Sequence, residues 1–226
     1  MRQELRKNLR TSSKRSTRRS GAAQLFTIGD AVEALRGALL IVYPTDTWYA
    51  LGADALSRDA LRRLFALKRR DPEKPVALIA SDAAMAFELA ASVPFAARRF
   101  AQAFWPGPLT IVMPARRGIP AEIVGPDGGV GVRVPAHHVA RELAAALGGP
   151  LTATSANRSG KAPAQTLADA RSAFATKVKV YLEGGRLDAP APSTVVSVRG
   201  DEWAMIREGA VPERELAAAL ASGTLR

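Results

Sequence analysis

The chain has 226 residues, 47% of them apolar, which is enough for one domain with a sizeable core. It contains no cysteine and only two histidines, His137 and His138, which excludes disulfides, thiolate zinc sites, a cysteine nucleophile and an HExxH metalloprotease. The formal net charge is +11, but eight basic residues against Glu4 alone put +7 of it in residues 1–20, leaving 24 basic against 20 acidic residues elsewhere.

In chain order, residues 1–21 are rich in Arg, Lys, Ser and Thr and read as a disordered basic tail. Residues 22–226 read as one domain. Asp30 is expected to cap a short helix ending at Gly37. Leu39–Tyr43 is an apolar, β-branched run halted by Pro44, the pattern of a buried strand. Thr45, Asp46 and Thr47 follow at its C-terminal end, where α/β folds collect ligands. Ser57 caps a helix running to about Arg70, whose last turn carries Lys68, Arg69 and Arg70. Such a cluster suits the helix dipole as a solvated helix end, and equally suits a polyanion; the stretch does not decide. Strands are predicted at 76–80, 109–113, 130–134, 151–154, 178–182, 194–198 and 203–207. Helices are predicted at 82–91, 94–104, 136–147, 167–175 and 212–222. Segment 114–129 reads as a long mobile loop. Several strands lack a crossover helix, so the fold class is α/β with a twisted mixed sheet surrounded by helices. No apolar run approaches a membrane span, and a cytoplasmic location is expected.

Four sites stand out chemically. Gly149–Thr166 (GPLTATSANRSGKAPAQT) runs a strand into hydroxyls, Asn157 and Lys161; it reads as a ligand loop or as an ordinary Asn/Ser/Gly turn, and it is neither a Walker A motif nor a dinucleotide fingerprint. Ser155 has no nucleophile elbow around it. Arg133 sits inside the apolar strand GVGVR, so it must be paired or ligand-bound, with Asp46 and Asp54 the candidate acids. Trp105 precedes a Pro-Gly turn and reads as core or as a stacking surface, and Thr110, Ser193 and Arg207 place hydroxyls and a cation at strand ends. No acid–base pair or metal triad appears, which points to positioning and electrostatic clamping of charged substrates.

The pieces YPTDTWYALGADA, KRR with Pro75, WPGPLTIV, GVRVP, TATSANRSG, PSTVV and IREGA, taken in this order over roughly residues 25–211, resemble the YrdC/TsaC family of threonylcarbamoyl-AMP synthases. The resemblance implies a large positively charged cleft and a reaction using L-threonine, bicarbonate and ATP, with Mg2+ accompanying ATP. It implies threonylcarbamoyl-AMP and pyrophosphate as products, and downstream proteins that modify adenosine 37 of tRNA. It assigns Lys68 and Arg70 as catalytic phosphate clamps, both expected to be exposed. ATP would also meet Thr110, Ser155, Asn157 and Arg207; threonine would meet Thr45, Thr47, Arg133 and Ser193. The longer members' extra C-terminal domain is not expected after Arg226. Three departures favour a YciO-like paralogue as the alternative: Lys68-Arg69-Arg70-Asp71 stands in place of Lys-Gly-Arg-Pro, no His stands near Ile79, and Tyr49-Ala50-Leu51-Gly52 replaces Tyr-Gly-Leu-Gly. A protein that binds double-stranded RNA or tRNA without chemistry, and a carbamoyl-transfer paralogue, are the other readings.

Overall fold

A computed structural model describes residues 25–69, 75–158, 160–189 and 191–221. The basic segment 1–21, Arg70 and Ser159 therefore lie outside the described residues. Helices α1 (Ile28–Arg36), α2 (Arg58–Lys68), α3 (Ala83–Phe87), α4 (Phe95–Phe104), α5 (His138–Leu147), α6 (Leu167–Phe174) and α7 (Glu213–Ala221) surround ten strands. The strands are β1 (Ile41–Tyr43), β2 (Ala50–Gly52), β3 (Leu78–Ile79), β4 (Leu109–Pro114), β5 (Gly129–Arg133), β6 (Leu151–Thr152), β7 (Thr154–Ser155), β8 (Val180–Tyr181), β9 (Thr194–Arg199) and β10 (Glu202–Arg207). No helix among the described residues is long and apolar enough to cross a membrane.

The strands form two mixed sheets, not one. The smaller has the order β7-β2-β1-β8 and the larger β10-β9-β4-β5-β3-β6. Strand alternation explains how each is buried. In the small sheet, Ile41, Tyr43 and Ala50 pack with α1 and α5, while Val42 and Leu51 pack with α2 and α6. In the large sheet, Leu109, Ile111, Met113, Val196 and Val198 face α4 and α7. The intervening residues Thr110, Val112, Gly131, Arg133 and Val195 face a cleft between the sheets.

Several local expectations are corrected. The first helix is capped by Thr27; Asp30 is the third helical residue and completes a reciprocal capping box with it. The second helix stops at Lys68 because Arg69 takes a left-handed conformation, φ 47°. The expected single strand 151–154 is two pieces: β6 pairs with β3 in the large sheet and β7 with β2 in the small one. The chain changes sheets at Ala153. Strand β2 carries no strand signal in the sequence, because Tyr49-Ala50-Leu51-Gly52 is short and contains an alanine and a glycine, weak strand formers. Segment 114–129 is a loop with exposed stretches at 116–118 and 126–128, anchored in between: a 3-10 turn at Ala121–Ile123 buries Ile123 completely, and Gly125 N–H donates to Gly129 O at 2.8 Å.

Tyr43 fastens the two sheets. Its fully buried hydroxyl donates to Thr152 O at 2.8 Å, and burial pushes its pKa up. Its ring lies over Gly52, where an added Cβ would sit 2.6 Å from Tyr43 Cε1. The ring belongs to the core and has no space to retreat into. Gly52→Ala should therefore destabilise the fold by about 1–3 kcal/mol, the usual cost of overpacking; an unchanged melting temperature would contradict this account of the seam.

Candidate functional site

The cleft has a volume of about 510 Å³, with the sheet-changing segment Ala153–Ser155 on one side and Gly125–Asp127 on another. Among the described residues two arginines line it, Arg133 and Arg207, and one acid, Asp127. Asp127 is engaged: its carboxylate pairs with Arg199 at 2.7 Å and accepts from Gly129 N–H at 3.2 Å. Arg199 lowers its pKa, chiefly through that hydrogen bond.

The loop after β1 is built on Thr45. Thr45 Oγ1 donates to Trp48 O at 2.7 Å and accepts the N–H groups of Thr47 and Trp48 at 3.2 and 3.3 Å. Thr45 is a turn-former whose hydroxyl is spent on the loop. Thr47 Oγ1, 3.0 Å from Thr45 Oγ1, is the hydroxyl better placed for a ligand. Arg133 points into the same region from β5. It is buried, with a side chain 6% exposed, and its Nη1 donates to Asp46 Oδ1 at 2.6 Å. Asp46 is thus its structural partner, as one reading of the sequence allowed, and Asp54 is not. The ion pair does not remove Arg133 from the cleft, which it still lines. A guanidinium has five N–H groups in a fixed fork, so an acid behind it leaves others to face an anion in front.

The second cluster joins three strand ends. Thr110 Oγ1 and Ser193 Oγ are 3.2 Å apart, and Arg207 Nη2 donates to Ser193 O at 2.8 Å and reaches Ser193 Oγ at 3.4 Å. Sheet register explains the grouping: Thr110 pairs with Val195, Val195 with Arg207, and Ile111, next to Thr110, pairs with Val132, next to Arg133. Partial desolvation first, then the like charge of Arg133, lowers the Arg207 pKa. Two cations that raise each other's energy across a cleft favour an anion between them. Ser193 stands with Thr110 and Arg207, not apart from them.

The third cluster corrects the exposure expected of Lys68. It is only 5% exposed, and its Nζ donates to Ser155 O, Asn157 O and Asn157 Oδ1 at 2.8, 2.7 and 2.8 Å. Ser155 Oγ donates to Asn157 Oδ1 at 2.7 Å, and Asn157 Nδ2 donates to Lys161 O. Ser155 lines the cleft, whereas Lys68 and Asn157 stand behind it. Lys68 anchors this loop from the end of α2. Arg70 lies outside the described residues.

One cleft thus gathers Thr45, Thr47, Thr110, Arg133, Ser155, Ser193 and Arg207. Trp105 takes the core role: its Nε1–H donates to Leu109 O at 2.6 Å and its ring packs near Phe87. Sequence reasoning missed Tyr49, whose hydroxyl ties Gly184 N–H and Gly185 O to the site, at 2.9 and 2.8 Å, and whose burial pushes its pKa up to about 12. It also missed Gly131 and Ile206, which line the cleft. Only Gly131, a glycine inside a strand, offered a signal beforehand.

A family model for Sua5, YciO and YrdC proteins, described as "Telomere recombination", matches residues 33–209. The threonylcarbamoyl-AMP synthase of Chromohalobacter salexigens is 39% identical over 175 residues, covering 77% of this chain and 94% of that protein. The crystal structure of Pyrococcus abyssi Sua5 complexed with L-threonine superposes with a TM-score of 0.81 at 33% identity, covering 85% of this chain and 57% of that one. E. coli YciO superposes with a TM-score of 0.74 at 27% identity, covering 82% and 90%. The chain spans about half the length of the Pyrococcus relatives it matches.

Two substitutions separate the roles within the site. Lys68→Met leaves buried carbonyl oxygens short of a charged donor and should cost roughly 1–3 kcal/mol in chemical unfolding; stability equal to wild type would refute the anchoring role. Thr45→Val should lower the melting temperature more than Thr47→Val. The reverse pattern would overturn the division of labour between the two hydroxyls.

Proposed function

The chain belongs to the Sua5/YciO/YrdC family, and from that premise we propose that it is an L-threonylcarbamoyladenylate synthase. It converts L-threonine, bicarbonate and ATP into threonylcarbamoyl-AMP and pyrophosphate in the cytoplasm. Downstream proteins then transfer the threonylcarbamoyl group to adenosine 37 of tRNA. The observation that carries this reading is the convergence of hydroxyl and guanidinium groups from β1, β4, β5, β7, β9 and β10 on one cleft.

The chemistry needs no covalent enzyme intermediate. Bicarbonate supplies CO2 by breaking one C–O bond and releasing hydroxide, which leaves as water with the proton given up by the amine; the threonine nitrogen adds to the CO2 carbon, forming a C–N bond as a C=O π bond opens to the carbamate oxygen. One oxygen of the resulting carbamate attacks the α-phosphorus; a P–O bond forms, the α–β anhydride breaks, and pyrophosphate leaves with the electron pair. Arg133, held from behind by Asp46, receives the threonine carboxylate, and Thr47 sits beside it. The row of Thr110, Ser193 and Arg207 faces the α-phosphate, where preorganised donors stabilise developing charge. Ser155, set by Lys68 and Asn157, attends the departing phosphates together with Arg70, two residues after Lys68. Holding the reactants in line is the main contribution, since effective molarity alone supplies a large share of such barriers.

Magnesium fits as an ion carried on the phosphates of ATP. Among the described residues no group of three or more His, Asp or Glu is arranged to hold a metal, and Asp127 is committed to Arg199.

The second reading, a YciO-like protein without synthase activity, is favoured by the likeness to E. coli YciO and by the absent histidine near Ile79. Pyrophosphate release distinguishes the two. The synthase requires L-threonine and bicarbonate together for release from ATP, with omission of either reducing it to background; ATP turnover indifferent to L-threonine would reject the synthase.

A further inference from the structure

Arg133 is held through one oxygen of Asp46 only. Asp46 Oδ1 accepts from Arg133 Nη1 at 2.6 Å, whereas Asp46 Oδ2 is buried with no hydrogen-bond partner among the described residues. A buried carboxylate oxygen without a donor is costly, and native structures seldom keep one without a reason. His137 Nδ1 is a second buried polar atom with no partner among the described residues. Chain geometry brings the two residues into one place. His137 stands at the N-terminus of α5, and Arg141 fixes the connection from β5 by donating to Pro135 O and Ala136 O, both at 2.7 Å. Gly184 packs directly on Pro44, at the start of the loop that carries Asp46: an added Cβ would lie 2.3 Å from Pro44 Cβ and 3.5 Å from His137 Nε2. The His137 ring is thus wedged against that loop, and the exposed His138 stacks on it with ring centroids 5.2 Å apart.

Desolvation, then the like charge of His138, lowers the His137 pKa, and the charge of Asp46 opposes them. The imidazole is therefore neutral at pH 7, with one nitrogen a donor and the other an acceptor. Protonated at Nδ1, it carries the donor that Asp46 Oδ2 lacks. We propose that His137 is a positioning residue for L-threonine: its Nδ1–H closes on Asp46 Oδ2 as the amino acid seats, and Asp46 then holds the Arg133 guanidinium in the orientation that receives the carboxylate. The terminal torsion of an aspartate is broad, so a carboxylate gripped at one oxygen can swing and carry its arginine with it. Gripped at both, it is fixed. In unliganded sites such bonds are long or poorly aligned and tighten in the complex. His137 itself does not line the cleft. This inference rests on the reading that Arg133 binds the carboxylate of L-threonine.

The test titrates the full chain calorimetrically with L-threonine and, separately, with ATP and magnesium, in wild type, His137→Leu, His137→Asn and His137→Gln, alongside thermal melts without ligand. His137→Leu should weaken L-threonine binding about tenfold, the worth of one hydrogen bond to a charged group, and leave ATP affinity unchanged. The short amide of His137→Asn puts an N–H where Nδ1 stands and should restore L-threonine affinity. His137→Gln, whose N–H reaches the place of Nε2, should not. If His137→Leu fails to fold, the contrast between Asn and Gln still decides. Equal L-threonine affinity in wild type and His137→Leu overturns the inference and leaves the synthase reading in place. A lower melting temperature with matched losses for both ligands marks a merely structural histidine and overturns it, as does restoration by Gln and not by Asn. If the wild-type chain binds no L-threonine, the reading of the cleft falls and this inference falls with it.

Discussion

Two sheets share one short segment, and the rest of the molecule follows from that constraint. Residues 151–155 begin in the large sheet and finish in the small one, and the Tyr43 hydroxyl holds Thr152 O where the sheets meet. Sheets joined along a seam and diverging from it must leave a space between them. The large sheet already has a face covered by α4 and α7, so its opposite face becomes the floor of that space. A strand alternates its side chains, and a sheet floor therefore displays every second residue of each strand. Thr110, Arg133, Val195 and Gly131 reach the cleft for that reason, and not through any loop.

The polar groups of the site fall into two tiers. Asp46, Lys68, Asn157 and Thr45 make hydrogen bonds within the protein and set the positions of their neighbours. Arg133, Thr47, Ser155, Thr110, Ser193 and Arg207 line the open space. The division has an energetic basis. A charge taken out of water must keep a partner, so Arg133 is tolerable only with Asp46, and Lys68 only with its carbonyl and amide acceptors. Once these partners are in place, the groups in front need little reorganisation when an anion arrives, and that is the condition under which electrostatic stabilisation is most effective.

The balance of charge in the cleft has the same origin. Desolvation, then the like charge of Arg133, lowers the Arg207 pKa, whereas the one acid that lines the cleft among the described residues, Asp127, is paired with Arg199. An anion placed between the two arginines relieves their repulsion. Arg199 at the same time ties the wall of residues 125–129 to β9, so an element that reads as a loop in the sequence behaves as part of the cavity's frame.

The sequence alone determined the α/β class, most helices, and most of the residues that line the cleft. Apolar periodicity and strand-breaking prolines report local burial, and a lone arginine in GVGVR demands a partner wherever the chain goes. The same local signals could not divide the strands between two sheets, because pairing is a long-range choice: Leu151–Ser155 reads as one strand until β3 and β2 claim its halves. They could not show that Lys68 is buried, since a lysine at a helix end looks the same whether it faces water or the carbonyls of Ser155 and Asn157, nearly ninety residues on. Nor could they select Asp46 over Asp54 for Arg133. Residue types and spacings carry what is local; which groups stand in front of a ligand and which stand behind was settled only when distant strands came into register.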